Sequence, residues 1–322
     1  PIMKRVILVM AGIFLIIAAT PAYPYWIWTP KTGKWLNPKT MVKPSPKEQF
    51  YFALEFYELK KYDDAKREFK KLLKAYPKSF EASESQYYLG VIEEARGNLY
   101  EAFQAYQLVI DKYPFSERIQ EIIEREYKIS ESFIAGEKRK ALGVALPVEN
   151  PAIEMLTKVV ENSTYGPLAP KAQYKLGLLL KGLMRYYEAE EAFNKVISSY
   201  PDSEWVEAAK FQIAECRAAL SRGPAYDQGA MQEAKQKFEE IIKENPEAAL
   251  SAEAEKNIKK LKEKEAEGNY NIGLFYEKQK QYGAARVYYN DTIDNYPDSP
   301  WAAKCLQRLE ALDKIKVTEK KK

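Results

Sequence analysis

Histidine is missing from the chain altogether. That removes the commonest general base near neutral pH and the commonest metal ligand, so histidine-based triads and zinc motifs are excluded. Cysteine occurs only at Cys216 and Cys305, without CxxC spacing. Both sit in helical patterns, where a buried free thiol acting as a small hydrophobe is the ordinary reading and a disulfide between the two is the alternative. The sequence holds no phosphate-binding loop, dinucleotide fingerprint, GxSxG elbow or metal-ligand cluster. Acidic pairs such as Glu93-Glu94 and Glu190-Glu191 are neighbours in sequence, point to different parts of a helix surface and read as solvated charge. Neither an enzyme nor a cofactor is expected.

What is present describes a soluble, core-forming chain: 46% of residues are apolar and 30% charged. The net charge of +4 is concentrated at the ends, in Lys4, Arg5 and five lysines from Lys314 onward, which leaves the body slightly acidic. A nucleic-acid groove is therefore not expected.

Met3-Lys4-Arg5, the apolar run Val6 to Ala19 and Thr20-Pro21-Ala22 have the layout of a secretory signal, with the cut placed after Ala22 and an uncleaved anchor as the alternative. Residues 23–46 then carry five prolines and three tryptophans, Trp26, Trp28 and Trp35, and cannot be helical. The segments around Pro30-Lys31-Thr32-Gly33 suit a small hairpin with its indoles on one face. Either these rings pack back onto the first helices or they form an exposed arm that meets a partner or a membrane interface.

From Ser45 onward the pattern is helical and repeats. Ser45, Pro46 and Glu48 suit an N-cap, the first helical position and a capping box; Asn98 and Glu101 suggest a second box. Tyr76-Pro77, Tyr113-Pro114, Tyr200-Pro201 and Tyr296-Pro297, each with Ser two residues on, end one helix and start the next, and Asn245-Pro246 is a weaker copy. Counting from these prolines aligns four units. The seventh and eighth positions are Phe52-Ala53, Leu89-Gly90, Leu176-Gly177 and Ile272-Gly273. Position 20 is Ala65, Ala102, Ala189 and Ala285, and position 24 is Phe69, Tyr106, Phe193 and Tyr289. Small residues at 8 and 20 allow close helix approach, and the aromatic at 24 is expected to fill the gap to the next hairpin. Two units carry inserts, at Ala135 to Asn150 and Arg222 to Gly229, and a last helix from Asp298-Ser299-Pro300 to Leu312 would cap the array before a frayed basic tail, residues 314–322.

This register resembles the tetratricopeptide repeat. The fold class it implies is all-α, a solenoid of about six helical hairpins plus a capping helix, over residues 47–313. In that family, first-helix positions 2, 5, 9 and 12 face a peptide-binding groove. Carried over, the groove near the amino end would be lined by Phe50, Leu54, Tyr57, Tyr87 and Val91, with packing between hairpins as the competing role for these side chains.

The apolar leader, the Tyr-Pro-x-Ser punctuation, the segment Ile272 to Leu312 and Tyr226-Asp227-Gln228 in the fifth-unit insert together resemble the BamD/YfiO family. Its members are periplasmic scaffolds of the machinery that assembles outer-membrane β-barrels. The resemblance implies a periplasmic protein at the inner face of the outer membrane. Its implied partners are the periplasmic domains of a BamA-like barrel insertase, unfolded outer-membrane proteins and other assembly-complex subunits. Familiar members carry a lipid on a cysteine at the signal cleavage site. No cysteine precedes Cys216 here, and the tryptophan arm, through Trp26, Trp28 and Trp35, is the expected substitute. A general periplasmic adaptor for envelope maintenance or secretion is the alternative function.

Overall fold

Between the two helices of each aligned repeat the backbone turns over through a left-handed residue at one fixed position: Lys60 (φ 56°), Gly97 (φ 76°), Met184 (φ 60°) and Lys280 (φ 61°). The amides of that residue and the next bond back into the helix just ended. In the second repeat the Gly97 N–H donates to the Glu94 carbonyl and the Asn98 N–H to the Glu93 carbonyl, both at 2.9 Å. These bonds satisfy carbonyls that a helix end leaves unpaired. Lys60, Met184 and Lys280 hold side chains where glycine is at ease, at about 1 kcal/mol each.

The structure, a computed structural model, describes residues 26–29, 33–36, 41–137, 140–141, 144–145, 150–221 and 228–319. The expected signal, residues 1–22, and most of the fifth-unit insert lie outside them. The chain divides into two units, residues 1–119 and 120–322.

The amino-terminal unit opens with an antiparallel hairpin of β1 (Ile27–Thr29) and β2 (Lys34–Leu36), in which Trp28 pairs with Trp35. Two helical hairpins follow, α1 (Pro46–Glu58) with α2 (Tyr62–Ala75), and α3 (Phe80–Ala95) with α4 (Leu99–Lys112). Pro46 starts α1, and the Ser45 hydroxyl accepts from the Glu48 N–H at 3.2 Å, as its sequence predicts. Ser79 caps α3 in the same way through the Ala82 N–H. The Asn98 box does not form. Asn98 is already used in closing the turn, and its Nδ2 donates to the Glu93 side chain at 2.8 Å instead of its oxygen capping α4.

The carboxyl-terminal unit contains α5 (Ile119–Ile134) and α6 (Ala152–Asn162), α7 (Ala169–Gly182) and α8 (Tyr186–Ser199), α9 (Val206–Leu220) and α10 (Gln228–Glu244), then α11 (Ala249–Lys278), α12 (Tyr282–Asn295) and α13 (Pro300–Glu319). The insert between α5 and α6 holds a short pair, β3 (Lys140–Ala141) and β4 (Val144–Ala145). Six hairpins and a last helix are thus present among the described residues, and that last helix runs past Leu312 to Glu319 where a frayed tail was expected. The other departure is α11. Its 30 residues contain no proline, so one helix spans what the register treats as the end of the fifth unit and the start of the sixth. Its first half, through Ala254 and Leu261, packs with Phe211, Met231 and Phe238. Its second half, through Tyr270 and Tyr276, packs on the cluster of Tyr289, Cys305 and Leu312.

Three devices recur inside the hairpins. The alanines at position 20 are fully buried. A Cβ on Gly90, Gly177 or Gly273 would overlap the ring of Tyr106, Phe193 or Tyr289. The aromatic at position 24 therefore fills the space within its own hairpin, where the sequence predicts a bridge to the next one: only a residue without a side chain leaves room for a ring between helices this close. A buried glutamine at position 4, unremarked in the sequence, reaches across the hairpin. Gln49, Gln86 and Gln173 each donate Nε2 to a carbonyl of the second helix 19 residues on, at 3.0 to 3.1 Å. Both cysteines are buried and free. Burial pushes the Cys216 thiol up to about 11 and raises Cys305 as well, so both act as apolar fillers.

Candidate functional site

The aromatic at position 5 is the natural suspect for a groove, and the structure gives it a repeated structural task. Tyr87 lies against Tyr106 at 5.9 Å with the Arg118 guanidinium over its ring at 4.9 Å. Tyr174 lies between Phe193 (5.5 Å) and Trp205 (5.0 Å), and Tyr270 between Tyr289 (6.0 Å) and Trp301 (5.3 Å). The two neighbours stand 19 and 31 residues further on in every case. One comes from the same hairpin and one from the segment that opens the next, so the position-5 ring joins successive repeats. At 4% exposure, Tyr87 has no free face to offer a ligand.

The remaining residues of the expected groove are half-buried, and the structure brings several of them together. Phe50 sits 5.8 Å from both Phe69 and Tyr88, and Tyr57 sits 5.1 Å from Tyr88 edge to face. Leu54 is one turn beyond Phe50 on α1, and Val91 one turn beyond Tyr88 on α3, so both continue the same faces. The hub is Tyr88, the residue after the position-5 ring Tyr87. It stacks on Phe69 at 5.5 Å and touches Phe50, Tyr57 and Tyr87. A signal for it exists. Position 6 is Tyr51 and Tyr88 in the first two units but Lys175 and Asn271 in the later ones. An aromatic confined to some repeats is not needed by the scaffold common to all. Tyr51 is 54% exposed, which extends this apolar face outward.

Charge frames the patch. Arg118 grips Glu84 with three hydrogen bonds of 3.0 to 3.2 Å. Burial, more than the nearby Glu84 and Glu58, raises the Tyr88 phenol, while Arg118 partly opposes it. At Glu93, desolvation works to raise the carboxyl, and hydrogen bonds from Lys66 and Asn98 outweigh it and hold the group below its ordinary range. That pair ties α2 to α3.

In the carboxyl-terminal unit a cleft of about 640 Å³ lies among Met231, Glu265, Asn269, Ile272, Tyr288 and Asp291. Beside it the exposed side chains of Phe275 and Val287 flank a stacked pair, Tyr276 on Tyr288 at 5.6 Å. Among the described residues no three metal-ligating side chains converge, and no helix is long and apolar enough to cross a membrane.

Residues 52–117 and 171–203 match two family models of the tetratricopeptide repeat. The fold is a tetratricopeptide-repeat solenoid. Residues 222–322 of this tetratricopeptide array match a further family model, YfiO, described as an outer membrane lipoprotein. No curated protein matches the chain. Among solved structures, the C-terminal part of a tetratricopeptide-repeat protein from Cytophaga hutchinsonii is 22% identical, over 82% of this chain and 88% of that one, with a TM-score of 0.34. A tetratricopeptide-repeat protein from Parabacteroides merdae is 16% identical over 81% and 97%, with a TM-score of 0.33. The MamA protein is 22% identical over 62% and 90%, at 0.32. The fold rests on the repeat geometry and on the two repeat-family matches.

Proposed function

We propose that this tetratricopeptide array is a non-enzymatic scaffold of the cell envelope, working in the assembly of outer-membrane β-barrel proteins. The carboxyl-terminal unit binds the periplasmic domains of a barrel insertase. The patch of Phe50, Leu54, Tyr57, Tyr88 and Val91 takes extended, aromatic-bearing segments of unfolded barrel proteins. The observation that carries this reading is the match of residues 222–322 to the outer membrane lipoprotein family in a chain whose other matched segments are tetratricopeptide repeats. The patch supports the second half. Its rings are half-buried and contiguous, so they offer stacking faces without first having to be ordered.

The test is co-purification from mildly solubilised envelopes, with the chain tagged at its carboxyl end. Recovery of a barrel insertase in stoichiometric amount is the expected result. Its reproducible absence, with other envelope proteins recovered instead, would overturn the assembly role and leave an adaptor for a different envelope task.

A further inference from the structure

The first acidic residue of the chain is Glu48, and residues 23–47 carry five lysines among two tyrosines and three tryptophans. In the β1–β2 hairpin Trp28 and Trp35 are paired across the strands with rings 5.6 Å apart. Trp26 stands two residues before Trp28, just ahead of β1. All three are exposed, at 60%, 47% and 60%, so the pairing leaves about half or more of each side chain in water.

The base of this arm is fixed. The Lys43 N–H donates to Gln49 Oε1 at 2.9 Å, and the Lys43 carbonyl accepts from the Tyr76 hydroxyl at 2.7 Å. Tyr76 follows the carboxyl end of α2, whose surface carries Lys66, Arg67, Lys70, Lys71 and Lys74 around a shallow hollow. Three of those cations are spent on Glu93, Asp64 and Glu68. Lys70, Lys74 and nearby Lys78 are exposed and have no acidic partner among the described residues. Only four residues, 37–40, separate Leu36 from Met41, so the end of the hairpin is tethered within about 17 Å of Met41, close to the fixed base of the arm.

We propose that the tryptophan hairpin and the lysine edge beside it form one membrane-binding element, which seats the indoles at the headgroup level of an anionic bilayer while the lysines neutralise its surface. Amphipathic indoles beside unpaired lysines, with no acid for 25 residues, fit that occupant and fit an acidic or apolar protein surface less well. Which membrane is met follows from the envelope reading above; lipid binding itself does not depend on it.

The experiment uses the full chain with vesicles of phosphatidylcholine alone or with phosphatidylglycerol, some carrying brominated acyl chains, and reads tryptophan emission. With anionic vesicles the emission should shift to the blue and be quenched by the bromine. Changing Trp26, Trp28 and Trp35 together to Ala should abolish that quenching and lower partitioning about tenfold or more, while Trp205 and Trp301 remain as a constant background. Lys70→Glu with Lys74→Glu should weaken binding to anionic vesicles by about fivefold or more and leave the thermal unfolding curve in place. Any binding contributed by the apolar run at residues 6–19 is common to all variants and does not report on these indoles. Unquenched wild-type emission, or equal partitioning of the tryptophan variant, would overturn the proposal. So would a tryptophan variant that keeps its lipid binding but loses a co-purifying protein or a self-association, since the hairpin would then be a protein contact. The outcome is independent of whether an insertase co-purifies.

Discussion

The second and sixth hairpins can be laid over one another residue by residue, and they agree at the glycine, at the ring that fills the space beside it and at the ring that rests on that one. Gly90 faces Tyr106 as Gly273 faces Tyr289. The Tyr106 hydroxyl donates to Glu94 at 2.7 Å and the Tyr289 hydroxyl to Glu277 at 2.8 Å. Tyr87 and Tyr270 rest on those same rings. They differ at position 6, Tyr88 against Asn271, at the left-handed turn, Gly97 against Lys280, and in the first helix, 16 residues against 30. The shared parts are those a hairpin needs in order to pack on its neighbours. An unshared residue such as Tyr88 is free to serve something other than packing, whereas Tyr87 is not.

The sharpest way to break this comparison is to truncate each of the two tyrosines in turn. Tyr87→Ala removes a buried ring and should cost about 3–5 kcal/mol in chemical denaturation, whereas Tyr88→Ala, at a half-buried site, should cost less than half as much. If the patch binds unfolded segments, Tyr88→Ala should also weaken capture of a fluorescent aromatic-rich barrel peptide. Equal stability losses with peptide binding untouched would assign both rings to packing.

Gly90→Ala and Gly273→Ala should each destabilise by about 2–3 kcal/mol, because the new methyl has to displace a packed ring. Gly182→Ala, with open space around it, should be neutral or slightly stabilising. Equal effects at the three sites would sink the close-approach account.

A smaller effect is expected at Lys66. Lys66→Ala should cost about 1–2 kcal/mol near neutral pH, since it strips a mostly buried carboxylate of its partner. Glu93 titrates below its ordinary 4.5 in the folded state. Its contribution is therefore complete above that value and lost as the pH falls through the lower folded value. The variant should accordingly show a flatter stability profile between about pH 5 and 3 than the wild type, measured by denaturant midpoints.

At the turns, Lys280→Gly and Lys60→Gly should raise stability by about 0.5–1 kcal/mol each, and Gly97→Ala should lower it by a similar amount. At the bottom of the scale, reductant should leave the melting temperature unchanged, and thiol reagents should label Cys216 and Cys305 only on unfolding.

Much of the array was legible in the chain because its signals are local. Proline after tyrosine stops a helix wherever it occurs, serine two residues later caps the next one, and the recurring small residues and rings set the hairpin period. The insert expected at Ala135 to Asn150 falls between the end of α5 at Ile134 and the start of α6 at Ala152. What escaped sequence reading was not local. Asn98 looks like a cap until the turn geometry and Glu93 claim its amide. Nothing in Gln49, Gln86 or Gln173 announces a bond to a backbone 19 residues away. The long α11 follows from the absence of a breaker between its two halves, and an absence leaves no local mark in the sequence.

The candidate site divides in the same way. Sequence alone fixed which helix faces carry aromatics, how often they recur, and that an acid-free, tryptophan-bearing arm precedes the first helix. Tertiary structure decided between packing and exposure, because the fate of a ring depends on which neighbour arrives to cover it. Tyr87 is covered by Arg118 from the next segment, Tyr88 is left half open among Phe50, Tyr57 and Phe69, and the three indoles of the arm remain in solvent.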